Sequence, residues 1–270
     1  GMTQAEERRD KLKRLRAVMK REGLDVVFLT TRANFAWLTA GGSNHVNTAL
    51  ADGVTTLAVT GRRAYVLANA IEAPRMMSEE LSADEFTLVT FPWHSDAAKR
   101  QAVMDLVGRG RAAADSDLYG LPRVPAAITE LRYSLTPAEV ARYRTLGRDV
   151  ALLLETVGVE LAPGETEQSV DGLMAELALA QGIRPFVRLV AADRRIERFR
   201  HPIPTDARIR RRVMIVICGE RGGLIVAASR LVNFERLSAS LRRKHDAVCR
   251  VDAAFIAATQ PGRAVGEVLA

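Results

Sequence analysis

The chain has 270 residues, 48% of them hydrophobic and 26% charged, and a formal net charge of +7 at pH 7. This composition excludes a disordered chain and leaves room for two domains, each with its own core. No apolar run approaches the ~20 residues of a membrane-spanning helix; with a charged N-terminus and only Cys218 and Cys249 as thiols, a cytoplasmic protein with reduced cysteines is expected.

The first residues, from Thr3 to Glu22, carry Leu12, Leu15, Val18 and Met19 at helical spacing, with Gly23 placed as a C-cap. A β-branched run from Leu24 to Thr31 predicts a strand, and Ala33 to Thr39 a short helix or strand leading into a Gly-rich loop. Val54 to Thr60 and Arg63 to Leu67 pair as a hairpin across Gly61 and Arg62. A helix over Ile71 to Leu81, a strand over Phe86 to Phe91, a helix over Asp96 to Val107, a strand within Arg111 to Asp117 and a helix over Pro125 to Leu131 follow. This alternation predicts an α/β domain, a mixed sheet with flanking helices, over residues 1–134.

The remainder, 135–270, reads as an α+β domain. Thr136, Pro137 and Glu139 spell a capping box ahead of a long helix running to Val159, which Pro163 and Gly164 break. A helix from Thr166 to Gln181 and a strand from Phe186 to Ala191 lead to VMIVICGERGGLIVAASRLVN, residues 213–233. The continuous apolar run Val213 to Ile217 predicts a strand covered on both faces, with Gly219, Gly222 and Gly223 supplying the turn to a return strand. A helix from Ser238 to Thr259, whose Cys249, Val248, Val251 and Phe255 read as core, precedes another helical pattern over Ala264 to Ala270.

Arginine supplies nearly all the positive charge, since only five lysines are present. The cluster Arg8, Arg9, Lys11, Lys13, Arg14 and Arg16 is interleaved with Glu6, Glu7 and Asp10, the pattern of a solvated helix face. The cluster Arg208, Arg210, Arg211 and Arg212 precedes a strand, and no nucleic-acid motif accompanies either, so nucleic acid is not an expected partner.

Several segments, in their order, resemble the creatinase/prolidase/Xaa-Pro aminopeptidase family. RLRAVMKREGLDVVFLTTRANFAWLTAG, residues 14–41, is similar to that family's amino-terminal module. LTPAEVARYRTLGRDVALLLETV and LAPGETEQSVDGLMAELALAQG resemble the opening helices of its pita-bread domain, FRHPIP the segment carrying a substrate-facing histidine, and the 213–233 hairpin the strands bearing its first two metal ligands. The resemblance thus implies the first part of a pita-bread domain over 135–270, with ligands beyond Ala270 if the chain continues, and a small peptide or amide as substrate.

At the hairpin the sequence departs from the family pattern. Ser229-Arg230 matches the family's Thr-Arg pair, which places Ala227 at the second metal-binding Asp and Val216 near the first. Aliphatic side chains offer no lone pairs, so no dinuclear metal site and no cofactor are expected, and the two positions should instead bury well. The resemblance puts His201 at the mouth of the cleft as the catalytic candidate; creatinase itself works without metal through a histidine in this region, in keeping with a group titrating near neutrality. Arg230, able to bind a carboxylate, and His45, in the polar loop GGSNHVN, are the substrate-binding candidates. Cys218 is expected to be a buried, inert thiol. If the chain does not continue past Ala270, a homodimer is expected, to cover sheet edges and apolar surface, and a non-catalytic binding or scaffolding role is the alternative function.

Overall fold

The structure, a computed structural model, describes residues 1–269. The chain divides into two compact units: Gly1–Leu153 with Glu176–Val187 and Ile217–Ala228, and Leu154–Ala175 with Arg188–Val216 and Ser229–Ala270.

In the first unit, helix α1 (Gln4–Glu22) starts on a capping box in which Thr3 and Glu6 satisfy each other's backbone donors, and stops at Gly23 with φ +68°. β1 (Val26–Thr31), α2 (Arg32–Leu38), β2 (Asp52–Thr60) and β3 (Ala64–Asn69) follow. Next come α3 (Ala73–Arg75) continued by a π-helical turn (Met76–Glu80), β4 (Thr87–Phe91), α4 (Asp96–Val107), β5 (Ala112–Ala114) and α5 (Ala126–Glu130).

The strands form one mixed five-stranded sheet in the order β4-β3-β2-β1-β5. β2 pairs antiparallel with β1 and β3, whereas β5 and β4 join parallel at the two edges. Strand periodicity sorts β1: Val27 and Leu29 join Leu12, Leu15, Val18 and Met19 of α1 on one face. Val26 and Phe28 join Val103 of α4 on the other. This is the expected α/β layering. The helix expected from Ile71 to Leu81 is realised as α3 and the π-turn, closed by Leu81 N–H donating to Met76 O at 2.9 Å.

The later elements are α6 (Pro137–Glu160), α7 (Glu167–Ala180), β6 (Arg184–Ala192), α8 (Arg194–Arg198), β7 (Arg212–Arg221), β8 (Leu224–Asn233), α9 (Ala239–Ala258) and α10 (Val265–Leu269); Ala270, the last residue of the helical pattern read at the end, lies outside the described residues. The sheet order is β6-β7-β8. Among the described residues no helix is long and apolar enough to cross a membrane.

Four expectations are corrected. β7 is not covered on both faces: Val213, Ile215 and Ile217 are buried while Met214, Val216 and Cys218 are half-buried, and β8 exposes Ile225, Ala227, Ser229 and Leu231. An unbroken apolar run hides which face is covered, because the two-residue period is invisible when every residue is apolar. Gly219 lies inside β7 rather than in the turn; a Cβ there would meet Ile183 Cγ2 at 2.7 Å, so close approach explains this glycine. The α9 stripe is not core, since Val248, Val251 and Phe255 are exposed, as is Cys249. An amphipathic pattern marks a face, not its cover. Finally, the first basic cluster is not a wholly solvated face, because Glu7 and Lys11 are both fully buried.

That burial is made tolerable by a four-charge cluster. Lys11 Nζ donates to Glu139 Oε1 at 2.6 Å and to Trp37 O at 2.7 Å, and reaches Glu7 Oε1 at 2.8 Å. Arg142 grips Glu7 through both terminal nitrogens, each at 2.8 Å. Two cations and two anions cancel, and each buried charge has hydrogen-bonded partners, with Arg142 Nε alone in the cluster left without one.

Candidate functional site

The loop carrying His45, between α2 and β2, is held from below by polar side chains. Asp115, just after β5, accepts from Thr30 N–H at 2.6 Å, Thr31 N–H at 3.0 Å and Asn34 Nδ2 at 2.8 Å, fixing the β1–α2 junction. Buried Asn44 acts as a surrogate strand partner: its Oδ1 accepts from Thr55 N–H at 2.9 Å and its Nδ2 donates to Thr55 O at 2.8 Å. Gly53 is required here, since a Cβ would meet Asn44 Nδ2 at 2.0 Å.

With Asn44 locked, His45 is half-buried, and its Nδ1 lies 2.8 Å from Ser43 Oγ. Ser43 N–H donates to Glu80 Oε2 at 2.8 Å, and Glu80 Oε1 accepts from Arg75 Nη1 at 3.1 Å. Burial, reinforced by the positive charges of Arg184 and Arg32, holds the imidazole pKa below its usual value, with Glu220 opposing. His45 is therefore a neutral ring at pH 7, able to accept as well as donate. Arg184 pairs with Glu220 at 2.8 Å, and Glu220 Oε1 accepts from Gly223 N–H at 2.7 Å. The β7–β8 turn is glycine because Gly223, at φ +80°, would place a Cβ 2.6 Å from Ala36 Cβ.

His201 belongs to the second unit. It is exposed, on the segment following α8, and no hydrogen bond or ion pair with its ring occurs among the described residues. The segment itself is anchored by Glu167, fully buried, whose carboxylate accepts from Ala192 N–H at 2.7 Å, Thr205 N–H at 2.9 Å and Thr205 Oγ1 at 2.8 Å, and binds Arg195. Arg230 is half-buried and engaged locally, donating to Ser229 O at 2.9 Å and standing 3.5 Å from Glu155 Oε1. Cys218 is half-buried rather than buried.

Nor do the two hairpin positions bury as their aliphatic character suggests: Val216 is half-buried and Ala227 exposed. Burial follows the face a residue occupies, not its polarity alone. Neither offers a donor, and among the described residues no group of three or more His, Cys, Asp or Glu is arranged to hold a metal ion.

A family model, the creatinase/prolidase N-terminal domain, matches residues 11–200. The chain belongs to that family. No curated protein sequence matches it. Among solved structures, the prolidase from Pyrococcus horikoshii OT3 is 18% identical with a TM-score of 0.78, over 96% of this chain and 75% of that one. The dipeptidase PepE from Mycobacterium ulcerans is 19% identical with a TM-score of 0.77, over 99% and 76%, and a variant of Escherichia coli aminopeptidase P is 12% identical with a TM-score of 0.73, over 97% and 70%. At such identities the likeness carries the fold, and the creatinase/prolidase architecture with its pita-bread continuation is what this chain shares with them.

The buried charge cluster of Glu7, Lys11, Glu139 and Arg142 and the polar neighbours of His45, Arg32 and Arg75 among them, escaped the sequence reading. The clusters join residues up to 135 positions apart, and no local spacing announces such partners.

Proposed function

We propose that this chain is a creatinase/prolidase-family protein with the body of an Xaa-Pro peptidase and without its dinuclear metal chemistry. The observation that supports this reading is the donor set at the hairpin: Val216 and Ala227, aliphatic where carboxylates would have to bridge two dications and acidify a water. The reading takes residues 1–134 as the amino-terminal domain and 135–270 as the first part of the pita-bread domain, a small peptide or amide as substrate class, the cytoplasm as location and a homodimer as assembly. The deciding experiment measures bound metal and Xaa-Pro dipeptide hydrolysis with and without added Mn²⁺ or Co²⁺. No stimulation is expected; cleavage that these ions restore after chelation would overturn the proposal.

A second reading is metal-free C–N bond hydrolysis with His201 as acid and base. It is favoured by the exposure of His201 on a segment anchored by the Glu167 hydrogen bonds, which leaves the ring open to a substrate. A screen of small amides and amidines should then reveal turnover that His201→Ala removes; unchanged turnover in that variant would take His201 out of the mechanism.

A further inference from the structure

Around His45 the charges do not balance. Arg184 is paired with Glu220 and Arg75 with Glu80, but Arg32, the first residue of α2, has no acidic partner among the described residues. Its Nε and Nη1 are buried and lack any acceptor, and so is Nη2 of Arg75. Buried donors are almost always satisfied, and an unpaired guanidinium is the least tolerable of them.

Three further observations tie these two arginines to the loop that carries His45. Arg32 N–H donates to Ala51 O at 3.0 Å, so its residue is tied to the far end of the loop that carries His45. Arg75 connects to the near end of the same loop through Glu80 and Ser43, whose hydroxyl meets the His45 ring at 2.8 Å. Both guanidinium charges act on that ring, in the same direction.

We propose that Arg32, Arg75 and His45 form a binding site for a small oxyanion, a carboxylate or phosphate group, which supplies the counter-ion and the acceptors that Arg32 lacks. Guanidinium N–H groups suit planar or tetrahedral oxyanions, and a neutral imidazole presents its remaining ring nitrogen as donor or acceptor as the ligand requires. The site lies within the first unit and does not depend on whether the chain hydrolyses anything.

The test follows the His45 ring resonances by NMR in the whole chain, at constant ionic strength set by chloride, during separate titrations with inorganic phosphate and with acetate. A saturable shift, accompanied by a rise in the His45 pKa, is expected with at least one; response to phosphate alone identifies a phosphate site, to acetate alone a carboxylate site. Arg32→Gln should weaken binding by at least about tenfold. Arg75→Lys, which keeps a cation beside Glu80 but removes the orphan Nη2, should also weaken it, whereas Arg62→Gln, an exposed arginine elsewhere, should not. No saturable shift with either anion, or undiminished affinity in a folded Arg32→Gln protein, overturns the site.

Discussion

Lys11 and Glu7 show how a single residue is governed by its neighbours. Burial by itself would raise the Glu7 pKa, but hydrogen bonds from Arg142 and Lys11, and their charges, outweigh it and bring the carboxyl down from 4.5 to about 2. A lowered folded-state pKa stabilises the protein above the unfolded value and loses that contribution as pH falls through the folded one. Between pH 4.5 and 2, therefore, the chain should lose on the order of 3 kcal/mol from this group alone. Urea midpoints measured across that interval check it: Glu7→Gln should flatten the dependence, and an unchanged slope would contradict the assignment. Lys11→Met leaves two carboxylates facing one guanidinium in a buried site and should cost about 3 to 5 kcal/mol, read by the same unfolding measurement.

Among the elements, helix ends and the hairpin turn carry the clearest consequences. The α6 start is a closed capping box, with Glu139 N–H donating to Thr136 Oγ1 at 3.1 Å and Thr136 N–H to Glu139 Oε2 at 2.8 Å. Thr136 Oγ1 also donates to Glu7 Oε1 at 3.2 Å. Thr136→Ala should thus cost about 1 to 2 kcal/mol, at the upper end for a cap, because one change opens both the box and a bond to a buried carboxylate. Gly223→Ala adds left-handed strain to a collision with Ala36 and should lower stability by about 1 to 3 kcal/mol, whereas Gly61→Ala, with nothing within 4 Å, should be close to neutral. Thermal unfolding of the pair separates a turn that needs glycine from one that merely contains it.

For the whole molecule, the buried cluster bears on how the chain is divided. Glu7 and Lys11 belong to the proposed amino-terminal domain, and Glu139 and Arg142 lie just past residue 134. A fragment ending at residue 134 would keep a buried carboxylate and a buried ammonium without their outer partners. It should unfold at lower urea than a fragment of residues 1–160, which retains α6; equal midpoints would mean that the cluster contributes little. Light scattering of the whole chain checks the homodimer.

Much of the architecture was legible along the chain, because the signals are local. The Thr136 capping box, the Gly23 stop, the β2–β3 hairpin and the limits of α4 all follow from spacing and backbone chemistry within a few residues, and so does the absence of carboxylates at Val216 and Ala227, a matter of residue identity. Tertiary structure alone decided that Lys11 is interior, that β7 buries only every second side chain, that Gly219 serves packing instead of turning, that the α9 stripe is exposed, and that two buried donors of Arg32 meet no acceptor. Each of these depends on what a side chain meets far along the sequence, and the free energy of burying a charge or a methyl group belongs to the meeting, not to the residue.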